Sequence, residues 1–465
     1  MQRKAVLLFG VLSALCITGC GAKEDKPSKP DTKPDEKVIE DYDDDGTDHH
    51  DPMYITNNFG GDASSELAVQ WQNVDGSTNQ RIQITTEDDT DFTYAHNVDA
   101  TYRKLDINTS SVGQYDKNGV YKVEVKGLKP NTKYIYRVGA NDAWSQTYNH
   151  LTADEDFSEF SFNVTSDPQA ASHTEFKATM RRANEYDPEN RFAFMCGDLV
   201  DDMGKRPAEI QSYTNAASEF NKDRIIACAE GNHDTYLNVS GSNVYQFGEA
   251  TMFNAFTTQP DNGFVKDDPT KSNSYYFRYS NVLFITLNTL IADESYQPQA
   301  NWLKGALDDN SDVDYIIAQM HIGPFAGRDD REWKEPLVRQ YYLPIFADYK
   351  VDAVFYGHDH SYGRTNQLAL TGTETVAQLK EFNTTPVADG TVFSMVGATG
   401  PKFYNLQHGL YQDNIFEVAA EANPGSFVNV KVEDDKLTVN AFKLPANNNG
   451  DLIKLDSYEI PKKSR

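Results

Sequence analysis

Five apolar runs in this chain end in side chains able to bind metal or move protons. Asp167 follows FSFNVTS, Asp198 follows RFAFMCG, and Asn232, His233 and Asp234 follow RIIACAEG; His321 follows DYIIAQM, and His358 and His360 close DAVFYGHDH. A lone strand-end Asp usually caps a helix, and a lone His is usually a satisfied surface group. Recurrence at five strand ends makes those readings untenable as a set. Imidazole and carboxylate donors together suit zinc, iron or manganese, whereas a calcium site uses oxygen alone. Six candidate ligands are too many for one open tetrahedral zinc, so two metals are indicated. Two metals about 3.5–4 Å apart activate water and stabilise the charge that develops in an in-line phosphoryl displacement.

Such residues converge only if their strands lie side by side. After Thr152 the strand-like runs alternate with amphipathic segments, PAEIQSYTNAASEFNK, PQANWLKGALDD and EPLVRQYYLPIFADY. This alternation predicts an α/β domain over 155–460 with a largely parallel, buried central sheet. The carboxyl ends of such strands line the ligand crevice, which brings the five motifs together. The segment FVNVKVEDDKLTVNAFKL reads as two strands turning at Glu433 to Lys436, placed at the edge of the same domain.

Residues 53–152 read differently: ELAVQW, QRIQITT and GVYKVEV alternate apolar and polar side chains, as half-buried strands do. LKPNTKYIYRV, with Leu128, Pro130, Thr132, Tyr134, Tyr136 and Val138 at alternate positions, resembles the fibronectin type III signature. The expectation is an all-β sandwich that packs and presents and carries no catalytic cluster.

The chain begins with Arg3, Lys4 and an apolar stretch from Ala5 to Thr18, too short to span a bilayer and fitted to a signal peptide over 1–20. Its ending, Ile17-Thr18-Gly19-Cys20, resembles the bacterial lipobox and makes Cys20 the expected lipidation site of an exported, envelope-anchored lipoprotein. Residues 21–52, rich in Asp, Glu, Lys and Pro, form a solvated tether. Cys196 and Cys228 close apolar runs and read as buried free thiols. The 465-residue chain has 39% hydrophobic residues, enough for two domains, and a net charge of -27. That charge argues against nucleic acid or an anionic membrane surface as partners, leaving the lipid anchor as the expected membrane contact. It leaves a phosphate ester open, because bound metal reverses the local potential.

GDLVD, GNHD, the His of QMHIGP and GHDH, in this order after SDPQ, resemble the calcineurin-like metallophosphoesterase superfamily. The fibronectin-like segment before them resembles its purple acid phosphatase-like branch. The resemblance implies a β-sandwich flanked by helices, hence two packed sheets. It also implies that Asp167, Asp198 and His360 hold one metal, that Asp198 bridges to the second, and that Asn232, His321 and His358 complete the second. His233 would face the substrate, donating a proton to the leaving oxygen or stabilising the transition state, with Asp234 orienting its imidazole.

The chain departs from that pattern twice. The family's iron-binding Tyr, three residues after the bridging Asp, is Asp201 here, so no purple charge-transfer band is expected. Two divalent ions, two carboxylates and a hydroxide leave one net positive charge for phosphate, and ligation by Asp201 would cancel it. Asp201 is therefore expected beside the ligands, orienting them, and Asp202 is expected to be solvated or capping. Where eukaryotic members have a His pair, this chain has Asp330 and Arg331, so Arg328 or Arg331 is the candidate phosphate contact. The function expected is binuclear hydrolysis of phosphate monoesters by a metal-bound hydroxide, with divalent iron, zinc or manganese. Phosphodiester or nucleotide hydrolysis is the alternative within that chemistry, and a surface binding lipoprotein with a vestigial metal site is the alternative outside it.

Overall fold

In the computed structural model, residues 50–465 are described except 106–114, 116, 142, 240–241, 246–249, 265–272, 329–330, 375–377, 379–380, 382–385 and 410–412. The expected signal peptide, Cys20, most of the tether and Asp330 lie outside the described residues. No helix among the described residues is long and apolar enough to cross a membrane.

The alternating segments of the N-terminal half fold as two antiparallel sheets. One runs Met53–Phe59, Leu67–Val74, Asn118–Val125, Thr101–Lys104. The other runs His96–Asp99, Arg81–Thr86, Lys133–Ala140, Ala143–Trp144, with Tyr148–Leu151 also paired to Lys133–Ala140. The Tyr134 hydroxyl accepts the Lys129 amide at 2.9 Å, pinning the LKPNT corner, while Tyr136 and Val138 are fully buried.

The C-terminal half is two packed sheets with helices on their outer faces. The first runs Ile225–Cys228, Phe192–Met195, Phe160–Thr165, Ser426–Val432, Lys436–Lys443, Ile453–Pro461. Its first three strands are parallel, and the remainder are antiparallel. The C-terminal hairpin is thus central, bonded directly to Phe160–Thr165, and the edge belongs to Ile453–Pro461, a strand whose mixed pattern hid it. The second sheet runs Tyr275–Tyr279, Val282–Leu287, Tyr315–Met320, Ala353–Tyr356, Val392–Val396, Tyr362–Thr365, Phe416–Ala420. It is parallel from Val282–Leu287 through Val392–Val396 and antiparallel at both margins.

Aromatic rings fill the space between the two sheets. Phe162 stacks on Phe192 with centroids 5.0 Å apart, Phe277 stacks on Phe284 at 5.1 Å, and Phe162 meets Phe284 edge to face at 5.2 Å. Each such pair adds about 0.5–1.5 kcal/mol beyond its burial. Phe59, from the first N-terminal strand, enters the same cluster 5.0 Å from Phe277 and 5.4 Å from Phe192, so the sandwich and the α/β portion share one core. Helices Thr174–Tyr186 and Pro207–Asn221 cover the outside of the first sheet, and Tyr296–Asp309 and Glu335–Asp348 that of the second. Cys196 and Cys228 are buried and unbridged.

Candidate metal centre

Each predicted residue at the site lies just past a strand, on a short loop bonded to its neighbours. The Asp167 amide donates to Gly197 O at 3.0 Å, the Gln169 amide to Asp198 O at 3.2 Å, and the Gly357 amide to His321 O at 3.0 Å. These turns demand unusual backbone: Asp167, Asp198, His358 and His360 adopt left-handed φ of 49°, 56°, 74° and 54°. Asp and His tolerate that region better than most residues, yet each costs on the order of 1–3 kcal/mol, a strain typical of functional sites. Gly357 lets the loops close, since a Cβ there would lie 1.9 Å from Ser166 Oγ and 2.4 Å from Asp167 Oδ2.

The structure gathers the donors into two buried groups, Asp198 with His321 and His358, and Asp167 with Asp198 and His360. In the first, His321 Nε2 lies 3.3 Å from Asp198 Oδ1, 3.0 Å from Asn232 Oδ1 and 3.3 Å from His358 Nδ1. In the second, His360 Nε2 lies 3.1 Å from Asp167 Oδ1. Two imidazoles are locked by their other nitrogen: His321 Nδ1 donates to Cys196 O and His360 Nδ1 to Lys402 O, both at 2.7 Å. That tautomer turns each Nε2 lone pair inward, as metal ligands require. Asp167 Oδ1 is fully buried with no hydrogen-bond partner among the described residues, while Oδ2 accepts the His358 amide at 3.0 Å. Converging lone pairs and an orphaned carboxylate oxygen fit cations, and Asp198 belongs to both groups.

The electrostatics agree. Burial would raise the Asp198 carboxyl, but the imidazoles of His321 and His233 outweigh it and hold it well below the usual carboxylate range. Burial opposes charge on His321, yet Asp198 and then Asp167 lift it to about 9. Burial, then Arg331 and His321, push His358 well below the usual imidazole value. Without metal, a proton on His321 balances the Asp198 charge.

His233 reaches the centre as expected, its Nε2 4.0 Å from Asp198 Oδ2. The expected partner is corrected. Asp234 does not orient the imidazole; its carboxylate accepts the amides of Asp198, Leu199 and Gly231, each at 2.9 Å, and braces the loops. The imidazole is held by the backbone: His233 Nδ1 donates to Asp201 O at 2.5 Å. The Asp201 carboxylate turns away from the donors to Arg206 Nη1 at 2.9 Å and Lys402 Nζ at 3.6 Å, so it orients no ligand directly. Asp202 is neither solvated nor a cap: it is buried, with Lys205 Nζ 3.4 Å from its Oδ2. Arg331 lies at the site, with Nη2 3.3 Å from His358 Nε2 and Nη1 3.2 Å from Asp359. Arg328 places its guanidinium 5.3 Å from the Tyr404 ring centroid.

Three residues at the site escaped sequence reasoning. Gln169 Nε2 donates to Asp198 Oδ2 at 3.0 Å, and only its place in SDPQ hinted at this. Lys402 and Tyr404 come from the loop after Val392–Val396, with Tyr404 4.7 Å from the His360 ring. No periodicity or motif marks them.

Two packed sheets whose strand ends gather buried imidazoles and carboxylates around one shared Asp make a candidate metal site of the kind that metal-dependent hydrolases use. Comparison with known proteins agrees: residues 52–152 match the N-terminal domain of purple acid phosphatases, and residues 160–362 match the calcineurin-like phosphoesterases. Among relatives, an uncharacterised protein of Mycobacterium tuberculosis is 23% identical over 376 residues, 74% of this chain and 68% of its own. A purple acid phosphatase of Glycine max is 21% identical over 314 residues, 65% of this chain and 63% of its own. A purple acid phosphatase from seeds of yellow lupin (Lupinus luteus) has the same fold, with a TM-score of 0.68 at 16% identity over 89% of this chain and 74% of that one. A PhoD structure gives 0.58 at 12% identity, over 89% and 93%. Residues 52–152 and 160–362 thus carry the two domains of the purple acid phosphatase-like branch of the calcineurin-like metallophosphoesterases, a family of phosphoester hydrolases. That family implies a dinuclear metal centre acting on small phosphoesters.

Proposed function

We propose that this protein hydrolyses phosphate monoesters at a binuclear centre held by Asp167, Asp198 and His360 on one side and Asn232, His321 and His358 on the other, with Asp198 shared. The observation that carries this reading is the membership of Asp198 in both buried donor groups. When bound, the metals, divalent iron, zinc or manganese, supply Lewis acidity and an activated water.

The chain's own residues divide the remaining work. With Nδ1 fixed on Asp201 O, His233 presents Nε2 at the centre and delivers a proton to the leaving oxygen. Asp234 keeps the loops of Asp198 and Gly231 together, so the spacing between the donor groups is fixed before substrate arrives. Arg331, stacked 4.8 Å from Tyr404 and paired with Asp359, is pre-oriented to take a phosphate oxygen. On the sequence, the enzyme is exported and anchored through lipid on Cys20.

The test is a metal count by mass spectrometry on purified protein, with hydrolysis rates for a chromogenic monoester and its matched diester. Two metals per chain and faster monoester turnover are expected. Faster diester turnover would transfer the proposal to diesters, and inactivity with every divalent metal would overturn it.

A further inference from the structure

Lys402 stands where no motif announced a functional residue. Its backbone is fixed against the centre: Lys402 O accepts His360 Nδ1 at 2.7 Å, and the Gly400 amide donates to Asp167 O at 3.1 Å. Its ammonium donates to Gln169 Oε1 at 3.0 Å, and Gln169 in turn donates to Asp198 Oδ2. Lys402 is therefore two hydrogen bonds from the shared carboxylate. An ammonium has three protons; Gln169 takes one, Asp201 stands at 3.6 Å, and the side chain keeps 35% of its surface open.

Charge balance separates two roles for this cation. If Lys402 served only to neutralise Asp201, Asp201 would need it; but Arg206 already pairs with that carboxylate at 2.9 Å. Arg331 stands beside His358 and 4.8 Å from the Tyr404 ring, which itself lies 4.7 Å from the His360 ring. Two cations thus flank the donor groups, one beside each. A phosphate monoester carries two negative charges near neutrality, whereas a diester carries one and has an ester group in place of one charged oxygen.

We propose that Lys402 is a substrate-binding residue that grips the second charged oxygen of the phosphoryl group and sets a preference for monoester dianions over diesters. The inference rests on the phosphoesterase reading of the site. Gln169 then has a positioning role: its amide oxygen orients the ammonium while its amide nitrogen steadies Asp198.

The experiment compares wild type, Lys402→Met, Lys402→Arg and the Asp201→Asn/Lys402→Met double variant in the full chain, each with metal content and thermal melting measured. KM and kcat are taken for an aryl monoester and its diester, and inorganic phosphate binding by calorimetry. Losing a charged hydrogen bond should weaken phosphate binding and raise monoester KM about tenfold in Lys402→Met, with diester KM changed less than about threefold. Metal content should hold, Lys402→Arg should recover part of the loss, and the double variant should match Lys402→Met. Equal effects on both esters, unchanged phosphate binding, or rescue by Asp201→Asn would overturn the proposal and leave Lys402 a partner of Asp201. A wild type that binds two metals but hydrolyses neither ester would instead fail the phosphoesterase reading itself, and the proposal with it.

Discussion

His233 Nδ1 lies 2.5 Å from the backbone carbonyl of Asp201, so a main-chain group, with no side-chain carboxylate, sets the tautomer of the imidazole that stands beside the two donor groups without belonging to either. A carbonyl only accepts, which places a proton on Nδ1 and aims Nε2 at Asp198. The expected consequence is a kcat loss of about 10²–10⁴-fold in His233→Ala with metal content unchanged, since general-acid catalysis typically contributes that much. Steady-state kinetics beside a metal count check it. Because the carbonyl survives substitution, Asp201→Asn should lose far less, whereas an Asp234 variant should lose metal along with activity.

Asp198 and His321 should couple metal binding to protons. His321 is lifted to about 9 in the metal-free protein, and it must release that proton to offer Nε2. Affinity should therefore rise with pH, up to about tenfold per unit below that value, and flatten above it. Metal titration of chelator-treated protein at several pH values, with proton release measured alongside, tests the sign. Asp198→Ala should abolish binding of the metal pair altogether.

Gly357→Ala removes no ligand and should still inactivate. The added methyl would sit 2.4 Å from Asp167 Oδ2 and 1.9 Å from Ser166 Oγ, both fixed by backbone contacts. Overpacking of this kind costs about 1–3 kcal/mol. Lower metal occupancy and a melting temperature reduced by a few degrees are the expected readouts.

His150 makes the protein acid-labile. Burial lowers its imidazole to about 4 from 6.5, and it packs beside Phe59, where the N-terminal sandwich meets the shared core. The folded state keeps it neutral while the unfolded state takes up a proton below 6.5. Stability is therefore complete above that pH and falls as pH drops toward 4, by about 3 kcal/mol at most, with no further loss below. Denaturant melts of wild type and His150→Leu across this window should diverge only on the acid side.

Asp201 predicts the colour. Its carboxylate is engaged by Arg206 and Lys402 and supplies no phenolate. Protein loaded with ferric and divalent iron should show no visible charge-transfer band, and an absorption spectrum decides it.

Local chemistry made much of this protein legible in its sequence. The strands are short apolar runs, the helices carry an apolar face, and candidate donors follow strands, so Asp167, Asp198, Asn232, His233, Asp234, His321, His358 and His360 are all marked in one dimension. Binary pattern likewise separated the β-sandwich from the α/β portion. What the tertiary structure alone decided concerns partners distant in sequence. Pattern does not encode pairing order, so the C-terminal hairpin's central place beside Phe160–Thr165 emerged only from the assembled sheet. Adjacency in GNHD pointed to Asp234 as the partner of His233, but the turn sends that carboxylate to three amides and brings Asp201 O, 32 positions away, to the imidazole. Lys402 and Gln169, 233 positions apart, meet because two strand ends from different sheets face one crevice, a consequence of packing that no local propensity carries.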